Sequence, residues 1–192
     1  NDNLSSALIE DFRRFKSVLA GVMIRRLYDL QMLSAFHMAF SQNSCNFAVP
    51  GAGKTSIVYG AYAYLKSLPN DDPKHVDKML VIGPLSSFAP WENEYKKCFG
   101  NNPESQRLSG GEISQAQKEQ HLYSKNPKEL TLMSHAGLRF LKPQIIDFLK
   151  QNRVLVVVDE AHRIKNVDGL WGSSAIDIAK EAVGRIILTG TP

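Results

Sequence analysis

The sequence predicts an α/β domain built on a parallel sheet with helices on both faces. Two observations carry this expectation. The strand-like runs, such as Met79-Leu80-Val81-Ile82 and Val154-Leu155-Val156-Val157-Val158, are continuously apolar rather than alternating, as strands buried on both faces require. Stretches of helical periodicity separate those runs, and strands that alternate with helices close into a parallel sheet through crossover connections. With 192 residues, 43% hydrophobic and 22% charged, the chain can form one sizeable core.

Leu4, Leu8, Phe12, Phe15 and Leu19 recur at helical spacing ahead of Gly21, which predicts an amphipathic first helix with a glycine stop. A second helix is expected from Leu27 to Phe40. Asn46-Phe47-Ala48-Val49 reads as a short strand feeding a glycine-rich loop, followed by a helix over Thr55 to Leu65. The polar stretch from Pro69 to Lys74 breaks the chain before the strand at Met79 to Ile82, which ends at Gly83-Pro84. A helix from Trp91 to Phe99, a glycine turn at Gly110-Gly111 and a helical piece from Ile113 to Tyr123 come next. Strands at Leu130 to Met133, Val154 to Val158 and Ile186 to Leu188 alternate with helices around Ile145 to Lys150 and Ala175 to Ala182. Two units follow: a helical segment over 1–26 and the α/β domain over 27–192.

The chemistry concentrates in two places. A glycine-rich loop between a buried strand and a helix can turn its backbone N–H groups inward, and those donors plus the positive helix end cradle a triphosphate. Here the loop is Ala48-Val49-Pro50-Gly51-Ala52-Gly53-Lys54-Thr55, with Ser56 next, and Ala48 fills the place where the strict pattern has glycine. Lys54 is expected to reach the terminal phosphates and the Thr55 hydroxyl to ligate magnesium. The second place is Asp159-Glu160, where a buried strand ends in adjacent carboxylates. The carboxyl ends of parallel strands form the ligand crevice, so Asp159 is expected to hold magnesium through water. Glu160 is expected to orient the attacking water and take its proton. Taken alone, an acidic pair after a strand is a solvated loop; the phosphate loop upstream gives it a ligand.

The order of Gln31, Gly51 to Thr55, Pro84-Leu85-Ser86 with Trp91 and Glu94, Asp159-Glu160-Ala161-His162-Arg163-Ile164-Lys165-Asn166, and Leu188-Thr189-Gly190-Thr191-Pro192 resembles the first motor lobe of superfamily-two helicases. It is most similar to the Swi/Snf-type branch, from about Leu27 to Pro192. The resemblance implies a RecA-like fold, ATP with magnesium, movement along duplex DNA, and a C-terminal motor lobe of the same protein that supplies an arginine to the transition state. It further implies that Gln31 reads the adenine edge, and that Pro84, Leu85 and Ser86, with Ser134 and His135, meet nucleic acid. His162 and the turn Thr189-Gly190-Thr191 would couple the two sites. Trp91 is expected in the core.

Val49-Pro50 and Ala52 depart from that branch's usual Asp-Glu-Met-Gly-Leu-Gly-Lys-Thr, and His135-Ala136 stands where it has Tyr-Glu. A restriction, phage-defence or plasmid-borne relative in a bacterial cytoplasm is therefore as compatible as a chromatin remodeller. A strand-separating helicase, a protein- or metabolite-directed ATPase and a non-hydrolysing binding module are the rival readings. The net charge of +4 is a mild pointer to a polyanionic partner. No apolar run approaches the ~20 residues that span a bilayer, and the expectation is a monomeric piece of a larger protein without a membrane role. Cys45 and Cys98, with no paired spacing, suit structural thiols. His37, His75 and His121 lack metal spacing, and Tyr59 and Tyr62 read as packing residues.

Overall fold

The computed structural model describes residues 2–47, 49, 51–111, 113–164 and 170–190, so the expectations for Ala48, Pro50, Lys165, Asn166, Thr191 and Pro192 fall outside the described residues. In chain order the helices and strands are α1 (Asp2–Val22), α2 (Asp29–Phe40), β1 (Asn43–Asn46), α3 (Lys54–Ser67), β2 (Lys78–Gly83), α4 (Phe88–Phe99), β3 (Ser105–Arg107), α5 (Gln115–Leu122), β4 (Leu130–Ser134), α6 (Gly137–Gln151), β5 (Val154–Val158), α7 (Leu170–Glu181) and β6 (Gly184–Leu188). The strands form one sheet in the order β1-β6-β5-β2-β4-β3. Every pairing is parallel.

Side chains alternate across a strand, and that explains the uninterrupted apolar runs. Met79 and Val81 of β2, with Leu155 and Val157 of β5, face the layer made by α1 to α4. Leu80, Ile82, Val154 and Val156 face the layer of α5, α6 and α7. Burying a Leu or Val side chain contributes about 1.5–3 kcal/mol, so both helical layers are anchored by the same short strands. Helix α1 belongs to this core: Phe15 is fully buried, its ring 5.1 Å from that of Tyr64 on α3. Gly60 lets α3 come this close, since a Cβ there would lie 2.8 Å from Leu27 Cδ1 and 3.1 Å from Ala35 Cβ.

Three elements differ from expectation. The first strand is Asn43–Asn46 and not Asn46 to Val49. Its polar residues pair through their backbone with β6 at the sheet edge, while Phe47 and Val49 lie exposed in the loop. Strand β3 went unanticipated because Ser105-Gln106-Arg107 has no apolar signal and pairs only with β4. Helix α6 starts at Gly137 and carries Pro143 inside it. The helically spaced Leu138, Leu141, Ile145, Phe148 and Leu149, all buried, outweigh the hydrogen bond that the proline removes.

Candidate functional site

Because all strands run the same way, their carboxyl ends share one edge, and the turns leaving it carry the chemistry. The loop after β1, Thr189 after β6, Asp159 after β5, Pro84 after β2 and His135 after β4 lie along it in that order. Two backbone bonds stitch adjacent turns: Thr189 N–H donates to the Asn46 carbonyl (3.1 Å), and Asp159 N–H to the Ile82 carbonyl (2.8 Å).

The glycine loop has the backbone that a phosphate cradle needs. Gly51 and Gly53 have φ of 84° and 78°, a left-handed region that costs an L-residue roughly 1–2 kcal/mol. Gly53 caps α3, so the unpaired N–H groups of that helix's first turn face the loop. Lys54 Nζ lies 3.4 Å from the Val49 carbonyl, and Thr55 is half-buried on the same turn. Gln31 braces the loop from α2: its amide nitrogen donates to the Ala52 carbonyl (3.0 Å) and its oxygen accepts from Tyr28 N–H (3.1 Å). Ser56, the last residue expected at the phosphates, sits in the first turn of α3, one residue after Thr55. It is 1% exposed and its hydroxyl donates to Glu94 on α4, so only its backbone faces the loop's turn.

Opposite stands the acidic pair. Asp159 Oδ2 accepts from the Trp91 indole N–H at 3.0 Å. Burial raises the Asp159 pKa, Trp91 opposes this, Glu160 adds to it and Lys54 pulls the other way; the carboxyl thus shares one electrostatic neighbourhood with the loop lysine. Glu160 has φ of 52°, a conformation uncommon in a residue with a side chain and typical of functional sites. His162 Nδ1 lies 3.3 Å from Glu160 Oε2 and 3.2 Å from Thr189 Oγ1, so it bridges the acid and the turn after β6. Gly83 makes room for this arrangement, because a Cβ there would lie 2.9 Å from Ser87 Oγ and 3.2 Å from Asp159 Cβ.

The segments expected at nucleic acid divide. Leu85 is 54% exposed and Ser86 is exposed beside half-buried Pro84, all at the strand-to-helix turn. Ser134 is half-buried, with its hydroxyl on Ser109 Oγ (3.0 Å). His135 is a correction: it is 5% exposed and its Nε2 meets the Asp159 carbonyl at 2.8 Å. The ring is turned under the acidic turn and is not part of the exposed surface. Trp91, Glu94, Gly83 and Ser109 complete the site. Trp91 and Glu94 stood in the resembling string, but nothing in their local sequence signals these contacts.

A loop of left-handed glycines capping a helix, set beside an acidic pair at the carboxyl edge of a parallel sheet, defines a phosphate-loop nucleotide-binding domain of RecA-like fold. The chain belongs to the SNF2-related domain family, whose profile matches residues 36–192. It is similar to the DNA repair and recombination protein RAD54-like of Danio rerio, at 27% identity with 74% of this chain and 19% of that protein covered. The DNA annealing helicase and endonuclease ZRANB3 of Bos taurus is 31% identical, with 74% of this chain and 12% of that protein covered. The Chromodomain-helicase-DNA-binding protein 1-like of Mus musculus is 28% identical over 91% of this chain and 18% of its own length. The chain thus spans at most 19% of these relatives. Among solved structures, the Sulfolobus solfataricus SWI2/SNF2 ATPase core in complex with dsDNA superposes with a TM-score of 0.65 at 24% identity, covering 88% of this chain and 33% of that one. That likeness concerns the fold.

Proposed function

We propose that this chain is the ATP-binding lobe of a DNA-dependent ATPase that works with a second lobe and moves along duplex DNA. The observation that carries the reading is the edge itself: the glycine loop, Lys54, Asp159 and Glu160 stand at the ends of strands β1 and β5, with only β6 between. The relatives named for DNA repair and DNA annealing, and the solved core bound to duplex DNA, support the choice of polymer.

In this reading Gln31 holds the adenine edge. The backbone of Gly51, Ala52 and Gly53 binds phosphate oxygens, and Lys54 offsets their charge. Among the described residues no group of three His, Cys, Asp or Glu side chains could hold a metal. The donors fit magnesium, which keeps several waters and shares its shell with phosphates; Thr55 and Asp159 would hold it. Bound there, the cation would offset charge developing on the phosphates. Glu160 takes the proton of the attacking water, and His162 carries the state of that acid to Thr189 and Gly190. Leu85, Ser86 and Ser134 meet the polynucleotide backbone. A lobe contacting phosphates reads no base sequence and loses affinity as salt rises.

ATP hydrolysis measured with matched duplex DNA, single-stranded DNA and RNA across a salt series, beside a fluorescent strand-displacement assay, tests this. Duplex is expected to stimulate most, with no strand separation. Stimulation by single strands with unwinding would replace it with a strand-separating helicase, and no response to any nucleic acid would sink it.

A further inference from the structure

We propose that α4 is a positioning helix. In it Trp91 and Glu94, one turn apart, tie the exposed turn at Leu85–Ser87 to the Asp159 carboxyl and to the first turn of α3. The inference rests on the ATPase reading above and adds a route between its two ligands that does not run through His162.

The helix starts at Phe88, directly after the Leu85–Ser87 turn. That turn is tightly built, with Ser87 Oγ donating to the Pro84 carbonyl (2.8 Å) and no room for a Cβ on Gly83 behind it. Trp91 is 1% exposed. A buried indole needs an acceptor, and a backbone carbonyl would serve its packing equally well. Trp91 instead spends its donor on Asp159 Oδ2 (3.0 Å), which fixes the rotamer of that carboxyl and so the direction in which its other oxygen is presented. Trp91 is in turn gripped by α3, since the Tyr59 hydroxyl donates to its carbonyl at 2.8 Å.

On the next turn the Glu94 carboxylate accepts from the Ser56 hydroxyl, two residues beyond the loop lysine. Arg25 Nη1 meets the same carboxylate oxygen, Oε1, at 2.6 Å, and Lys97 lies 3.7 Å from Oε2. One rigid helix therefore touches both halves of the nucleotide site and begins at the turn that faces the polynucleotide. A displacement of Leu85–Ser87 must shift Asp159 and α3 together, as coupling through a packed element requires.

The test uses the protein that joins this chain to its second lobe. Trp91→Phe keeps an aromatic six-membered ring in the pocket and removes the N–H donor together with the pyrrole part of the indole, so Tm is followed beside binding. ADP titrated with magnesium and with EDTA separates the roles. Losing a hydrogen bond to a charged group is expected to weaken magnesium–ADP about tenfold or more, while metal-free ADP changes by less than about twofold. The ratio of duplex-stimulated to basal hydrolysis should fall with it. Glu94→Ala should weaken both ADP forms, and Glu94→Gln, which still offers Ser56 an acceptor, should restore most of the loss. The proposal is overturned if Trp91→Phe binds magnesium–ADP and responds to duplex like the parent. It is also overturned if both ADP forms weaken equally while Tm falls, the mark of a packing residue. A parent protein that binds neither ADP form would overturn the ATPase reading instead.

Discussion

The side-chain amide of Gln31 occupies the space where a Cβ on Gly53 would sit, 2.5 Å from its nitrogen. A side chain at that position would push the Gln31 amide off the Ala52 carbonyl that it now holds. Gly53→Ala combines a clash with Gln31 and a φ of 78° that an L-residue resists by roughly 1–2 kcal/mol. Nucleotide affinity should drop by about two orders of magnitude or more, since the loop has to be rebuilt around its own ligand. Tm should change by only a few degrees, the shift that roughly 1–2 kcal/mol of backbone strain gives a domain of this size. Titration of ATP beside a thermal melt checks this, and unchanged affinity would mean that the loop adapts.

Lys54 and Glu160 should fail differently. Lys54→Ala removes a charge that acts on phosphates in ground and transition states alike, so binding and turnover fall together. Glu160→Gln keeps shape and a hydrogen-bonding group but not the base, so ATP still binds while turnover drops by ~10²-fold or more. Equal loss of binding in Glu160→Gln would take the base role away from that residue.

His121 should give the fold a pH dependence. Burial, with Lys128 and Lys78 nearby, pushes its pKa down to about 4, and its Nε2 lies 2.8 Å from Thr131 Oγ1. In the unfolded chain a histidine titrates near about 6.5. Between those values the unfolded state binds the extra proton, so stability rises with pH there. The contribution is complete above about pH 6.5 and is lost as pH falls toward 4, on the order of 3 kcal/mol in all. Urea melts between pH 4 and 7 should show the slope, and His121→Gln should flatten it. An unchanged slope would place the titrating group elsewhere.

The two thiols should separate chemically. Cys98 is buried and burial lifts its pKa to about 12, whereas Cys45 is exposed on β1. Only thiolate alkylates, so the native chain should take about one equivalent of iodoacetamide, at Cys45, and the denatured chain about two. Native labelling of Cys98 would show that α4 opens on the timescale of the reaction.

Much of this was legible from residues, and the exceptions have physical causes. The loop announces itself through glycine spacing, and β2 and β5 through uninterrupted apolar runs, because those patterns are demanded by backbone and by burial. The link from Trp91 to Asp159 leaves no such trace: a core tryptophan looks the same in sequence whether its N–H meets a carbonyl or a carboxylate. His135 was misplaced for a related reason. Its position at the end of β4 is readable, but the direction of its ring depends on Asp159 folding back over it. Strand β3 is three polar residues, held by a neighbour's backbone and by nothing in its own hydropathy.

The strand order makes the carboxyl edge a ruler. Strands in a sheet lie about 4.8 Å apart, so from the glycine loop on β1 to Ser134 on β4, four steps across β6, β5 and β2, is about 19 Å. The two proposed ligand sites meet in the middle of that span, since Asp159 follows β5 and the Leu85–Ser87 turn follows its neighbour β2. In the proposed reading a movement at one site is felt at the other across the junction of β5 and β2, where a Cβ on Gly83 would lie 3.2 Å from Asp159 Cβ and little slack is left.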